Sequence, residues 1–79
     1  MVEKRAARRY RVLKGATISF DGSGIPCTVR NLSSGGAAID LDERADLPPS
    51  FMLTIQSDRL IRRCHQVWSN ERRIGVAFN

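Results

Sequence analysis

From Ala16 onward, apolar and polar residues alternate with a period of two. That is the pattern of strands with one face in a core and the other in water. Ala16, Ile18 and Phe20 alternate with Thr17 and Ser19, and Asp21-Gly22-Ser23-Gly24 then supplies turn chemistry. Ile25, Cys27 and Val29 alternate with Thr28 and Arg30, so these two runs predict a hairpin. Asn31-Leu32-Ser33-Ser34-Gly35-Gly36 interrupts, and the alternation resumes at Ala37, Ile39 and Leu41. Asp42–Ser50 is polar, carries Pro48-Pro49 and predicts a loop; the acidic segment Asp40–Asp46 has room for one helical turn. Phe51, Leu53 and Ile55 predict a fourth strand and Leu60–Trp68 a fifth, in which Arg62, Arg63, Cys64 and Gln66 blur the two faces. Ile74, Val76 and Phe78 predict a sixth.

Six short strands at roughly ten-residue spacing predict an all-β fold, a small antiparallel barrel or sandwich. Closure into a six-stranded barrel would remove the open edges that so small a domain must otherwise manage. The expected core is Ile18, Phe20, Val29, Ile39, Leu53, Ile55, Val76 and Phe78. Trp68 is assigned to the core rather than to a ligand platform, because a lone tryptophan in a small barrel is usually buried for its area. Cys27 and Cys64 read as small buried residues on strands, without a disulfide framework or a CxxC metal site. His65 follows Cys64 directly, which puts the two side chains on opposite faces of a strand and argues against a metal site or a Cys–His pair. No apolar run is long enough to span a bilayer, and no signal-peptide core is evident, so the cytoplasm is the expected location.

Charge divides the chain in two. The net charge is +5, from 13 Lys+Arg against 8 Asp+Glu. Residues 1–14 hold Lys4, Arg5, Arg8, Arg9, Arg11 and Lys14 against Glu3, while residues 15–79 sum to zero. The expected organisation is therefore a flexible basic arm over 1–14 and a neutral barrel over 15–79.

Two segments carry chemistry. In the arm, Arg5 and Arg9 are spaced to share one face of a helical turn, or to lie about 13 Å apart if extended. A guanidinium fork binds phosphate oxygens bidentately and its flat face stacks on bases. In the second segment, Asn31 and Ser33 stand two apart and face the same side of an extended chain. Asn31 offers amide donors and an acceptor, Ser33 a hydroxyl, and Gly35-Gly36 permits positive φ and close approach of backbone to a ligand. Taken alone, the first segment favours a solvated tail and the second a plain turn.

Together and in order, R-x-x-x-R (Arg5, Arg9) and N-x-S-x-x-G (Asn31, Ser33, Gly36) resemble the PilZ domain family, whose pattern is R-x-x-x-R followed by D/N-x-S-x-x-G. Arg63-Cys64-His65-Gln66-Val67-Trp68 is similar to the family's fifth strand ending in V-x-W, and Ile74-Gly75-Val76-Ala77-Phe78 to its closing I-G-V-x-F strand. The resemblance implies a six-stranded β-barrel that binds the bacterial second messenger cyclic di-GMP, often as a stacked dimer. It implies Arg5 and Arg9 on guanine edges and phosphates, with Asn31 and Ser33 hydrogen-bonding a guanine and Gly36 letting backbone fit beneath it. Arg8, Arg30 and Gly35 are auxiliaries without motif support. Many members continue into a helix after the last strand, whereas this sequence stops at Asn79.

The resemblance further implies a non-catalytic receptor whose arm orders over the ligand and presents a new surface to a protein partner. An enzyme is not expected, since no paired carboxylates, metal cluster or partnered histidine are evident. A basic arm on a small barrel also suits a single-strand nucleic-acid binder, but such barrels expose several aromatics, and Phe20, Phe51 and Phe78 fall on the apolar stripe here. A ligand-free interaction module is the third reading.

Overall fold

A computed structural model describes residues 10–79. Its strands are β1 (Tyr10–Phe20), β2 (Ser23–Leu32), β3 (Gly36–Leu41), β4 (Ser50–Ile55), β5 (Leu60–Asn70) and β6 (Arg73–Phe78). They pair antiparallel throughout and close into a barrel in the order β1-β2-β3-β6-β5-β4. The β1–β4 pairing Thr17↔Thr54, Ile18↔Leu53 and Ser19↔Met52 completes the ring, so the sheet has no long free edge.

Three details differ from expectation. β1 begins at Tyr10 rather than Ala16, so Tyr10–Lys14, counted with the arm on charge, are paired strand. β3 reaches Leu41 as expected, but no helical turn forms in the acidic loop; a single 3₁₀ turn at Gln56–Asp58 instead joins β4 to β5. Arg5, Arg8 and Arg9 lie outside the described residues.

The first hairpin follows from its turn residues. Asp21 and Gly22 both take left-handed φ, +46° and +77°, which is the two-residue geometry whose twist matches that of the flanking strands. Buried on the inner face are Ile18, Cys27, Val29, Ile39, Leu41, Phe51, Leu53, Ile55, Cys64, Ile74 and Val76. Phe20 and Phe78 pack against this cluster and are only partly buried. The blurred faces of β5 have specific causes. Arg62 sits in the inward register opposite Leu53 but stacks its guanidinium on the Phe78 ring, 4.8 Å from the centroid. Gln66 donates its amide to the carbonyls of Leu47 (3.4 Å) and Pro48 (3.0 Å), fastening the 42–49 loop over one end of the barrel.

Cys64 is buried and His65 exposed, on opposite faces as the alternation requires. Burial pushes the Cys27 thiol up to about 12 and Cys64 to about 11, and the Cys64 thiol donates to the Phe51 carbonyl at 3.6 Å. With so little thiolate and no access, neither cysteine should react with a chromogenic disulfide reagent at neutral pH until the barrel opens. Both should react in denaturant; rapid labelling of the native protein would contradict this packing.

Candidate functional site

Two β-bulges decide which side chains reach the outer face. Along β2 and β3, Val29 pairs with Ile39 and Asn31 with Ala38, so Arg30 has no partner. Val29 and, beyond the bulge, Leu32 both pack inward. Asn31, which strict alternation from Val29 would bury, is thereby turned outward beside Arg30. Along β5 and β6, Gln66 pairs with Val76 and Trp68 with Gly75, leaving Val67 unpaired. Gln66 points in and Trp68 points out, with 46% of its surface exposed. The expectation of a core Trp68 is corrected: one extra residue reverses its face.

The bulges serve one place. Asn31 pairs with Ala38, Ala38 with Gly75 and Gly75 with Trp68, a row that crosses β2, β3, β6 and β5 on the outer surface. The next outward row is Gly36, Ala77 and His65. Small residues thus form a floor between Asn31 on one side and Trp68 on the other. The resulting cavity, about 240 Å³, is lined by Asn31, Ser33, Gly36, Ala38, Trp68 and Gly75 among others. It is smaller than the roughly 300–1,000 Å³ of typical ligand clefts, so the barrel face offers room for one planar base rather than a whole dinucleotide. The Trp68 indole lies so close to Gly75 that a Cβ there would collide with its Nε1 and Cε2.

Ser33 is fixed by its own turn. Its Oγ accepts the N–H groups of Gly35 (3.1 Å) and Gly36 (3.2 Å), and its hydroxyl donates over 3.3 Å to the Gly36 carbonyl. Such local side-chain bonding favours serine in turns. The glycines act differently from expectation. Neither Gly35 nor Gly36 has positive φ; Gly22 does. Gly36 is needed because β6 passes close: a Cβ there would collide with the Val76 carbonyl oxygen and lie 3.2 Å from Ala77 Cα. At Gly35 the space is open apart from Ser33 Oγ at 4.0 Å.

A family model for the PilZ domain matches residues 3–79. The chain belongs to the PilZ domain family. None of the curated proteins matches it. PilZ domains form a family of cyclic di-GMP receptors, and the matched span takes in Arg5, Arg9, Asn31, Ser33 and Gly36.

On this PilZ barrel the structure brings Asn31, Ser33, Gly35 and Gly36 to one cavity. Arg30, next to Asn31 in sequence, is not among the lining residues, and its guanidinium is engaged with Asp40 at 3.0 Å. Asp40 also accepts from Arg73 Nε at 2.6 Å and Nη2 at 3.1 Å. Sequence reading missed Ala38, Gly75 and Trp68 as parts of the site; the signal was there in V-x-W and I-G-V, which name the two residues that stack. Among the described residues no cluster of three His, Cys, Asp or Glu side chains suits a metal ion, and no helix is long and apolar enough to cross a membrane.

The Arg73 hydrogen bond above all, with the charges of Arg73 and Arg30, holds the Asp40 carboxyl below its ordinary range. A depressed folded-state pKa means that the unfolded chain takes up this proton first as pH falls. The stabilisation is therefore full at neutral pH and is lost as pH drops from about 4, the ordinary aspartate value, toward the lower folded one. Denaturant titrations should show a steeper acid limb for the wild type than for Asp40→Asn; identical limbs would contradict the cluster's contribution.

Proposed function

We propose that this protein is a non-catalytic cytoplasmic receptor that binds cyclic di-GMP on the outer face of its barrel and passes the signal to a protein partner. The observation that supports this best is the convergence of two bulges on one base-sized floor, with Asn31 and Ser33 on one wall and Trp68 on the other. A guanine lying on Gly36 and Ala38, beside the Trp68 indole that covers Gly75, meets the Asn31 amide, which has both donors and an acceptor for its edge. The Ser33 hydroxyl, already held by two backbone N–H groups, keeps its proton free to turn from Gly36 to the ligand. Trp68 supplies an aromatic plane beside the base.

The floor holds one base, so the phosphates and second guanine must be held from elsewhere. Tyr10 pairs with Leu32, between Asn31 and Ser33 in sequence, and Arg9 is joined directly to Tyr10. Tyr10, the first described residue, thus stands beside the Asn31–Ser33 segment, which supports a role for Arg9 there. Arg5 and Arg9 close over the ligand and clamp phosphates and the N7/O6 edge of guanine. The dianion offsets the mutual repulsion of the arm's cations, which makes ligand binding and arm ordering one event. The ordered arm is the surface a partner reads.

Exposed Trp68 and Tyr10 favour a second reading, single-strand nucleic-acid binding, more than the sequence alone did. A track of bases would need a continuous groove, and the cavity accommodates one. Hydrogen exchange tests the first reading. On adding cyclic di-GMP, amides in residues 3–12 and in Asn31–Gly36 should exchange much more slowly. Unchanged exchange at saturating ligand would contradict arm closure.

A further inference from the structure

Arg11 belongs to neither motif, and its position in the sheet gives it a role. Its cross-strand partner is Asn31. At this end of β1, Val12 packs on the core and Arg11 is exposed, so Arg11 and Asn31 project together from the outer face. The outward row that forms the site therefore starts one strand earlier than the cavity does: Arg11, Asn31, Ala38, Gly75, Trp68. Residues directly opposite in an antiparallel pair have Cβ atoms about 4.5–5.5 Å apart, so the Arg11 stem is set beside Asn31 by strand pairing alone.

The charges around the floor single it out further. Asp40 is shared between Arg30 and Arg73, so both of those guanidinium groups are already engaged with a carboxylate. On the opposite side, the residue facing Arg11 across the pair is uncharged Asn31. Arg11 thus adds a positive charge at the β1 end of the row, beside a residue that lines the cavity. A guanidinium there has the fork that phosphate oxygens accept bidentately.

We propose that Arg11 is a third arginine of the ligand site, anchored on a strand, which holds the phosphate of the nucleotide whose guanine lies on the Gly36–Ala38 floor. This rests on the cyclic di-GMP reading. Arg11 is preorganised: its backbone is already paired with Asn31, so it engages an incoming phosphate without first ordering a segment. Arg11 makes the first charged contact.

The test is calorimetric titration of the full chain with cyclic di-GMP at several salt concentrations, using wild type, Arg11→Ala and Arg11→Lys. Arg11→Ala should bind about tenfold to a hundredfold more weakly, the worth of a charged hydrogen bond, with a shallower loss of affinity as salt rises. Arg11→Lys should recover the salt dependence and part of the affinity, and the ligand-free melting temperatures of all three should agree. If the wild type binds and Arg11→Ala binds equally well with the same salt dependence, the role of Arg11 is overturned and the receptor reading stands. If the wild type binds no cyclic di-GMP at all, the receptor reading itself is overturned and Arg11's role with it.

Discussion

Gly36→Ala should lower the melting temperature of the ligand-free protein by on the order of 10 °C. The cause lies between strands. Gly36 pairs with Ala77, and a methyl group on Gly36 would meet the Val76 carbonyl oxygen and the Ala77 Cα of β6. Both obstacles are backbone, so relief requires moving β3 from β6. Overpacking of this kind costs about 1–3 kcal/mol. A small domain loses about 4–8 °C of melting temperature per kcal/mol. Because β3–β6 is the crossover pairing that carries the floor, ligand binding should weaken in the same variant. Gly35→Ala is the matched control: nothing but Ser33 Oγ stands near, at 4.0 Å, and stability should change little. A Gly36→Ala protein that melts like the wild type yet fails to bind would contradict the packing role and return Gly36 to direct ligand approach.

The contrast between those glycines shows what the sequence could and could not convey. Strand number, the Asp21-Gly22 hairpin and most of the core follow from period-2 alternation and turn chemistry, because each depends on neighbours a few residues away. The bulges do not. Arg30 and Val67 are single unpaired residues whose effect is to reverse the face of everything beyond them, and alternation by itself carries no mark of where a strand slips. Trp68 shows the consequence: read in phase with Cys64 and Gln66 it belongs in the core, and one inserted residue puts it on the surface. The irregularity of Leu60–Trp68 was the visible trace of that slip. Gly36 was legible as a motif position but not as a steric requirement, since the atoms it avoids lie forty residues away in sequence, on β6.

Arg9→Ala should have the largest effect on binding. Arg9 adjoins Tyr10, the first residue of β1, whose partner Leu32 lies within the Asn31–Ser33 segment. A guanidinium held on phosphate or on the guanine N7/O6 edge makes charge-assisted, bidentate bonds, each worth about 1.5–3 kcal/mol. Losing such a contact weakens binding by roughly tenfold to more than a hundredfold. Arg9 lies outside the described residues, and the melting temperature of the ligand-free variant should match that of the wild type. Arg9→Lys should recover only part of the loss, because a single ammonium cannot span both acceptors.

The most direct measurement is calorimetric titration of wild type and Arg9→Ala with cyclic di-GMP, GTP and a short single-stranded oligonucleotide. The expected result is tight, saturable binding of cyclic di-GMP alone by the wild type, lost or strongly weakened in the variant. Preference for the oligonucleotide with a steep salt dependence, or no binding of cyclic di-GMP by the wild type, would contradict it.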